Sequence, residues 1–170
     1  NHYAALGQLA QTHCAADEAI PLIATGHLFA SGAHTTEGDG VRDLYVGSLG
    51  HVPISSIPAC FDYVALGHLH LPQTIGGLES RRYSGSPLPM GFGEARQTKS
   101  VCVVEFEGKT PHISLLTIPR FQELALIRGD LLAIQQQVHH LRDSGKTVWL
   151  EVVYEGETLV GNLREQVEAM

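Results

Sequence analysis

The chain has 170 residues, of which 44 % are apolar and 17 % charged, and its formal net charge is −7. That length suits one domain, or one and part of another, with enough residues to bury a core. The negative balance argues against a stand-alone protein drawn to nucleic acid by charge, though not against an enzyme that meets phosphates through metal ions. No apolar run approaches the roughly 18 residues of a membrane span, and no basic stretch followed by an apolar one marks a secretory signal near Asn1. Cys14, Cys60 and Cys102 are scattered and form no C-x-x-C pair. Such a set is expected of reduced, buried thiols in a cytoplasmic protein.

Residues 2–15 place Tyr3, Leu6, Leu9, Ala10 and His13 at helical spacing, which predicts an amphipathic helix whose apolar stripe faces the core. Asp17-Glu18 reads as a solvated loop. Pro21-Leu22-Ile23-Ala24-Thr25-Gly26-His27 then reads as a short apolar strand ending in Gly-His. From Leu28 to His51 the chain is rich in Gly, Ser and Thr, which predicts a surface loop with His34 as a solvated loop histidine. Within it, Leu44-Tyr45-Val46-Gly47 suggests a short strand or turn. Pro53 and Pro58 bracket a short connector.

Asp62-Tyr63-Val64-Ala65-Leu66-Gly67-His68-Leu69-His70 repeats the earlier pattern and adds a second histidine. Its apolar run suits a strand sealed on both faces. Gly67 permits a sharp exit, having no Cβ to clash. In extended geometry His68 and His70, at i and i+2, point to the same side. Two imidazoles leaving a buried strand together suit a metal ion; a hydrogen-bonded loop histidine beside a surface one is the alternative. The recurrence of Gly-His about forty positions apart matters more than either copy alone. If both strands run the same way, their histidines share one edge.

Beyond Pro72, residues 73–78 and 81–84 predict a hairpin turning at Gly76-Gly77. Arg81 and Arg82 read as a solvated strand edge. Gly85-Ser86-Pro87-Leu88-Pro89 is a rigid loop that helps hold a site, and groups near Gly85-Ser86 could brace the histidines. Val101-Cys102-Val103-Val104 reads as a buried strand, paired across Glu107-Gly108-Lys109 with the strand from His112 to Ile118. His112 is accordingly a strand residue. Pro119-Arg120 looks like a boundary. A β-α-β-α series follows: strand 123–127, helix 130–142 capped by Asp130, strand 148–153 and helix 158–169. Leu131, Ile134, Val138 and Leu141 supply the first helix's apolar face.

Gly26-His27 and Gly67-His68-Leu69-His70 resemble the later ligand motifs of the calcineurin-like metallophosphoesterases. Within that superfamily the chain is most similar to the SbcD family. The supporting phrases are Ile23 to Leu28, Val41 to Gly47, Asp62 to His70 and Arg82 to Pro89. The resemblance implies an α/β fold: the C-terminal half of a metallophosphoesterase β-sandwich over residues 1–119, then a partial capping, DNA-binding module over 120–170. It implies two-metal phosphodiester hydrolysis in DNA repair and recombination, with two manganese ions polarising phosphate and activating water. By motif position His27 and His68 bind one ion and His70 the other. DNA, an SbcC-type ATPase subunit and a second copy of the chain are the implied partners, in the cytoplasm and away from membranes.

The family's early motifs, Asp-x-His, Gly-Asp-x-x-Asp and Gly-Asn-His-Asp, are not found in these residues. They carry the bridging aspartate and the catalytic histidine. The expectation is therefore an internal piece of such a subunit, inactive alone and prone to self-association. A phosphoesterase for small phosphoesters and a noncatalytic interaction module are the competing readings.

Overall fold

The computed structural model describes residues 2–14, 17, 19–41 and 50–170. The short element expected at Leu44 to Gly47 lies outside them, as does Glu18. The elements are helix α1 (His2–His13), strands β1 (Ile23–His27), β2 (Tyr63–Gly67), β3 (Gln73–Ile75), β4 (Leu78–Tyr83), β5 (Ser100–Glu107), β6 (Thr110–Thr117) and β7 (Glu123–Gly129), helix α2 (Leu131–Asp143), strand β8 (Val148–Tyr154) and helix α3 (Leu163–Glu168). The fold is mixed α/β. Its described strands form a four-stranded sheet ordered β1-β2-β4-β3 and two-stranded sheets β5-β6 and β7-β8.

β1 and β2 run parallel and pair from Ile23↔Tyr63 to His27↔Gly67, so the two Gly-His segments do reach one edge of the sheet. β2 is buried because β1 and β4 flank it and Leu22, Ala24, Leu28, Ile57, Phe61 and Leu69 join it in one apolar cluster. The hairpin between β3 and β4 is antiparallel. It turns through Gly76 and Gly77, both at positive φ (64° and 70°), a backbone that glycine adopts without steric penalty.

Several expectations are corrected. Leu6 and Leu9 are 42 % and 55 % exposed, whereas Gly7 is the buried residue of α1. A Cβ on Gly7 would lie 2.7 Å from Cys60 Sγ. The helix therefore approaches the core along Tyr3, Gly7 and Ala10, because small residues allow close contact where leucines would hold it off. β4 is an inner strand, so Arg81 and Arg82 are not a solvated edge. Arg82 is buried and paired with Glu79 at 2.9 Å, while Arg81 donates to the carbonyls of Ile54, Ile57 and Pro58.

β5 is half-exposed rather than buried, with Val103 among its exposed residues, since its only described strand partner is β6. The three thiols are free but only half-buried. α3 spans six residues rather than the expected twelve. Tyr154 donates to Thr158 O at 2.8 Å, holding that segment in a loop, and Asn162 opens the helix in left-handed geometry. α2 forms as expected, with Asp130 Oδ1 accepting from the Ala133 N–H at 2.8 Å.

Tyr83 locks β4 to the segment leaving β1. Its hydroxyl donates to Leu28 O at 2.6 Å and accepts from Ala30 N–H at 2.9 Å, with no side-chain exposure. Burial pushes the phenol above its ordinary value, partly offset by the Ala30 hydrogen bond. Tyr83→Phe is expected to destabilise the fold by about 1–3 kcal/mol, since it orphans two buried backbone groups. The phenol's folded pKa lies above its unfolded value near 10. Its contribution is therefore complete below about pH 10 and is lost as pH rises through the folded value. Urea titrations at neutral and alkaline pH should show a shallower alkaline loss in the variant.

Candidate metal centre

The site begins with strand register. Parallel pairing of His27 with Gly67 puts His27 at the tip of β1, and His68 follows directly at the end of β2. The two imidazoles meet edge to face, with centroids 5.1 Å apart and planes inclined by 65°. Gly67 makes that approach possible: a Cβ there would stand 3.3 Å from His27 Nδ1. Phe29 flanks His68 with centroids 6.1 Å apart, and its other neighbour is His51, at 4.3 Å.

His68 has φ of 107°, a region that side-chain-bearing residues rarely adopt. Such strain, of order 1–3 kcal/mol, persists only where surrounding structure imposes it, and it concentrates at functional sites. It also corrects the argument from extended geometry. β2 ends at Gly67, so the i, i+2 rule does not govern His68 and His70. The strained turn sends the His68 ring to His27.

His70 occupies a different environment. Its Nδ1 lies 2.9 Å from Asp39 O and 2.8 Å from Glu94 Oε1. Glu94 has no exposed side-chain surface. Its second oxygen, Oε2, pairs with Lys99 Nζ and accepts from Met90 N–H at 3.2 Å and Ser86 Oγ at 3.3 Å. Lys99 is also buried and donates to Ser86 Oγ and Gln97 Oε1, both at 2.9 Å, and to His70 O at 3.4 Å. Ser86 N–H donates to His70 O at 3.1 Å. The Gly85-Ser86 segment thus touches His70 directly.

The structure brings His27 and His68 together and fixes His70 beside Glu94. His34 is exposed; its backbone exchanges hydrogen bonds with Gln73. Among the described residues no group of three or more His, Cys, Asp or Glu gathers around one point. Two imidazoles at a shared strand edge, followed two residues on by a third that a carboxylate backs, are nevertheless a donor chemistry that suits a divalent transition metal. Asp39, Glu94 and Lys99 were not legible as site residues. Their one local signal is a charged pair beside a Gly/Pro-rich loop, and surface loops commonly look the same.

Fold and site together define a mixed α/β protein with histidines at the tips of adjacent parallel strands. Residues 120–170 match the SbcD C-terminal family, described as the type 5 capsule protein repressor C-terminal domain. The chain is 38 % identical over 157 residues to the SbcD subunit of the SbcCD nuclease of Escherichia coli K12, covering 91 % of this chain and 38 % of that protein. The Bacillus subtilis protein of the same name is 45 % identical over 84 residues, covering 49 % of this chain and 21 % of that protein. For Staphylococcus saprophyticus the values are 33 % over 141 residues, 81 % and 36 %. The chain is similar to these SbcD subunits over the spans given, and it spans less than two fifths of their length.

Proposed function

We propose that the chain is part of a metal-dependent DNA exo- and endonuclease subunit. The intact subunit hydrolyses phosphodiesters in repair and recombination, together with an SbcC-type ATPase, as a cytoplasmic homodimer. The observation that supports this best is the His27–His68 pair at the tips of parallel strands, in a chain whose relatives are named nuclease subunits. Residues 1–119 are read as the second half of the phosphoesterase domain and 120–170 as most of its cap.

In this reading His27 and His68 serve one manganese ion and His70 a second. Bound ions would supply Lewis acidity toward phosphate and lower the pKa of water. The chain's own part is positional. The register of β1 and β2 sets the spacing of the first two rings, Gly67 keeps that gap open, and Glu94 and the Asp39 carbonyl hold the third ring. The carboxylate ligands of the early family motifs are to come from elsewhere in the subunit.

The test compares manganese-dependent cleavage of linear duplex DNA by the intact subunit, its His68→Ala variant and these 170 residues alone. Cleavage is expected from the intact protein only. Unchanged cleavage by His68→Ala would remove His68 from the site. Cleavage by the 170 residues alone, abolished by His68→Ala, would show that no further ligands are needed.

A further inference from the structure

The surroundings of His70 decide which of its nitrogens carries the proton. Both groups at Nδ1 are acceptors: a backbone carbonyl, Asp39 O, and a carboxylate oxygen, Glu94 Oε1. A carbonyl has no proton to give. The donors Lys99 Nζ, Ser86 Oγ and Met90 N–H all gather on the other oxygen of Glu94, which leaves Oε1 to accept. Two acceptors converging on one ring nitrogen demand an N–H there. The neutral ring then carries its lone pair on Nε2, and among the described residues no hydrogen bond engages that atom.

We propose that Glu94 is a positioning residue for His70. It holds the proton on Nδ1 and fixes the ring plane, so that Nε2 is the nitrogen offered to a divalent metal ion. This rests on the metal-binding reading of His70 given above. Lys99, Ser86 and the Met90 N–H act on the Glu94 carboxylate; Lys99 and Ser86 reach His70 only at its backbone carbonyl, not at its ring. Together the three supply the donors to Oε2, which leaves Oε1 to face the histidine. A carboxylate behind a ligating imidazole orients it and raises its basicity, and loss of such a partner typically lowers metal affinity about 10–100-fold.

The donor count makes Glu94→Gln a sharp test. The three donors at the Oε2 position require the amide oxygen there, so the amide NH2 is turned toward His70 Nδ1. A donor then faces a donor, and the ring must change tautomer or rotate. The experiment uses the intact subunit, stripped of metal and labelled with 15N-histidine. Long-range 1H–15N correlation reads each ring's tautomer, and calorimetry reads the manganese Kd.

The unsubstituted protein is expected to show His70 as the Nδ1–H tautomer. The variant is expected to lose that signature and to bind the His70-dependent manganese about 10–100-fold more weakly. A purely structural Glu94 would lower the melting temperature but leave tautomer and Kd unchanged. An Nε2–H tautomer in the unsubstituted protein overturns the proposal without any variant, so a misfolded Glu94→Gln protein does not shelter it. Undiminished manganese binding in a folded variant also overturns it. Failure of the unsubstituted protein to bind manganese overturns instead the functional reading on which it stands, and is distinguished by an intact Nδ1–H signature.

Discussion

Replacing Lys99 by methionine is expected to destabilise the protein by about 3–5 kcal/mol, the usual consequence of stranding one partner of a buried ion pair. Methionine is unbranched and replaces all of the lysine chain but its terminal ammonium, so the loss is mainly electrical rather than steric. Glu94 has no exposed surface and Lys99 is 4 % exposed. With the ammonium gone, Glu94 keeps Met90 N–H, Ser86 Oγ and His70 Nδ1. None of these is a fixed positive charge. Ser86 Oγ, Gln97 Oε1 and His70 O each lose a donor as well.

The pair should also fail additivity. Glu94→Gln removes the charge that Lys99 neutralises, so the double variant should be less destabilised than the sum of the singles. A coupling of about 0.5–3 kcal/mol is expected for residues in one network. Urea unfolding of the four proteins measures it. Additive effects below about 1 kcal/mol each would mean that water reaches the pair and screens it, as at a surface ion pair.

Gly93→Ala is expected to cost about 3 kcal/mol, the upper end of what overpacking usually costs, and to damage the His70 site as well. A Cβ at that position would stand 2.0 Å from Glu37 O, 2.6 Å from Gly38 C and 2.9 Å from Gly38 Cα. All three are backbone atoms and cannot rotate aside. The hydrogen bond from Gly93 N–H to Gly38 O, 3.1 Å long, ties the same two segments together. Forcing them apart separates Asp39 from Glu94, and these are the two acceptors on His70 Nδ1.

Gly77→Ala is the matched comparison. Gly77 lies at φ of 70° with open space around it, so its substitution costs about 1–2 kcal/mol of backbone strain alone. In the intact subunit, thermal melts paired with manganese titrations separate the two outcomes. Gly93→Ala should lose both stability and affinity, and Gly77→Ala stability only. Equal manganese affinity in the two variants would break the proposed link between this loop junction and His70.

The parallel pair at the centre of the fold was legible because its determinants are local. An apolar run of four or five residues followed by Gly-His has few other readings, and the same pattern occurs twice. The β3–β4 and β5–β6 hairpins were legible for the same reason, through Gly76-Gly77 and Glu107-Gly108-Lys109. The burial of Arg82 was not, since an Arg-Arg pair looks the same on an inner strand as on an edge. Nor was the face of α1: the leucines dominate its pattern, while contact with the core runs through Gly7.

For this protein the sequence alone determined the short strands, their turns, the Asp130 cap and the placement of histidines at strand ends. These depend on backbone preference and apolar spacing within a few residues. Tertiary structure alone decided which histidines meet and which groups face Nδ1 of His70. Asp39 and Glu94 lie 31 and 24 residues from His70, and no local pattern encodes a contact made only when distant loops pack together.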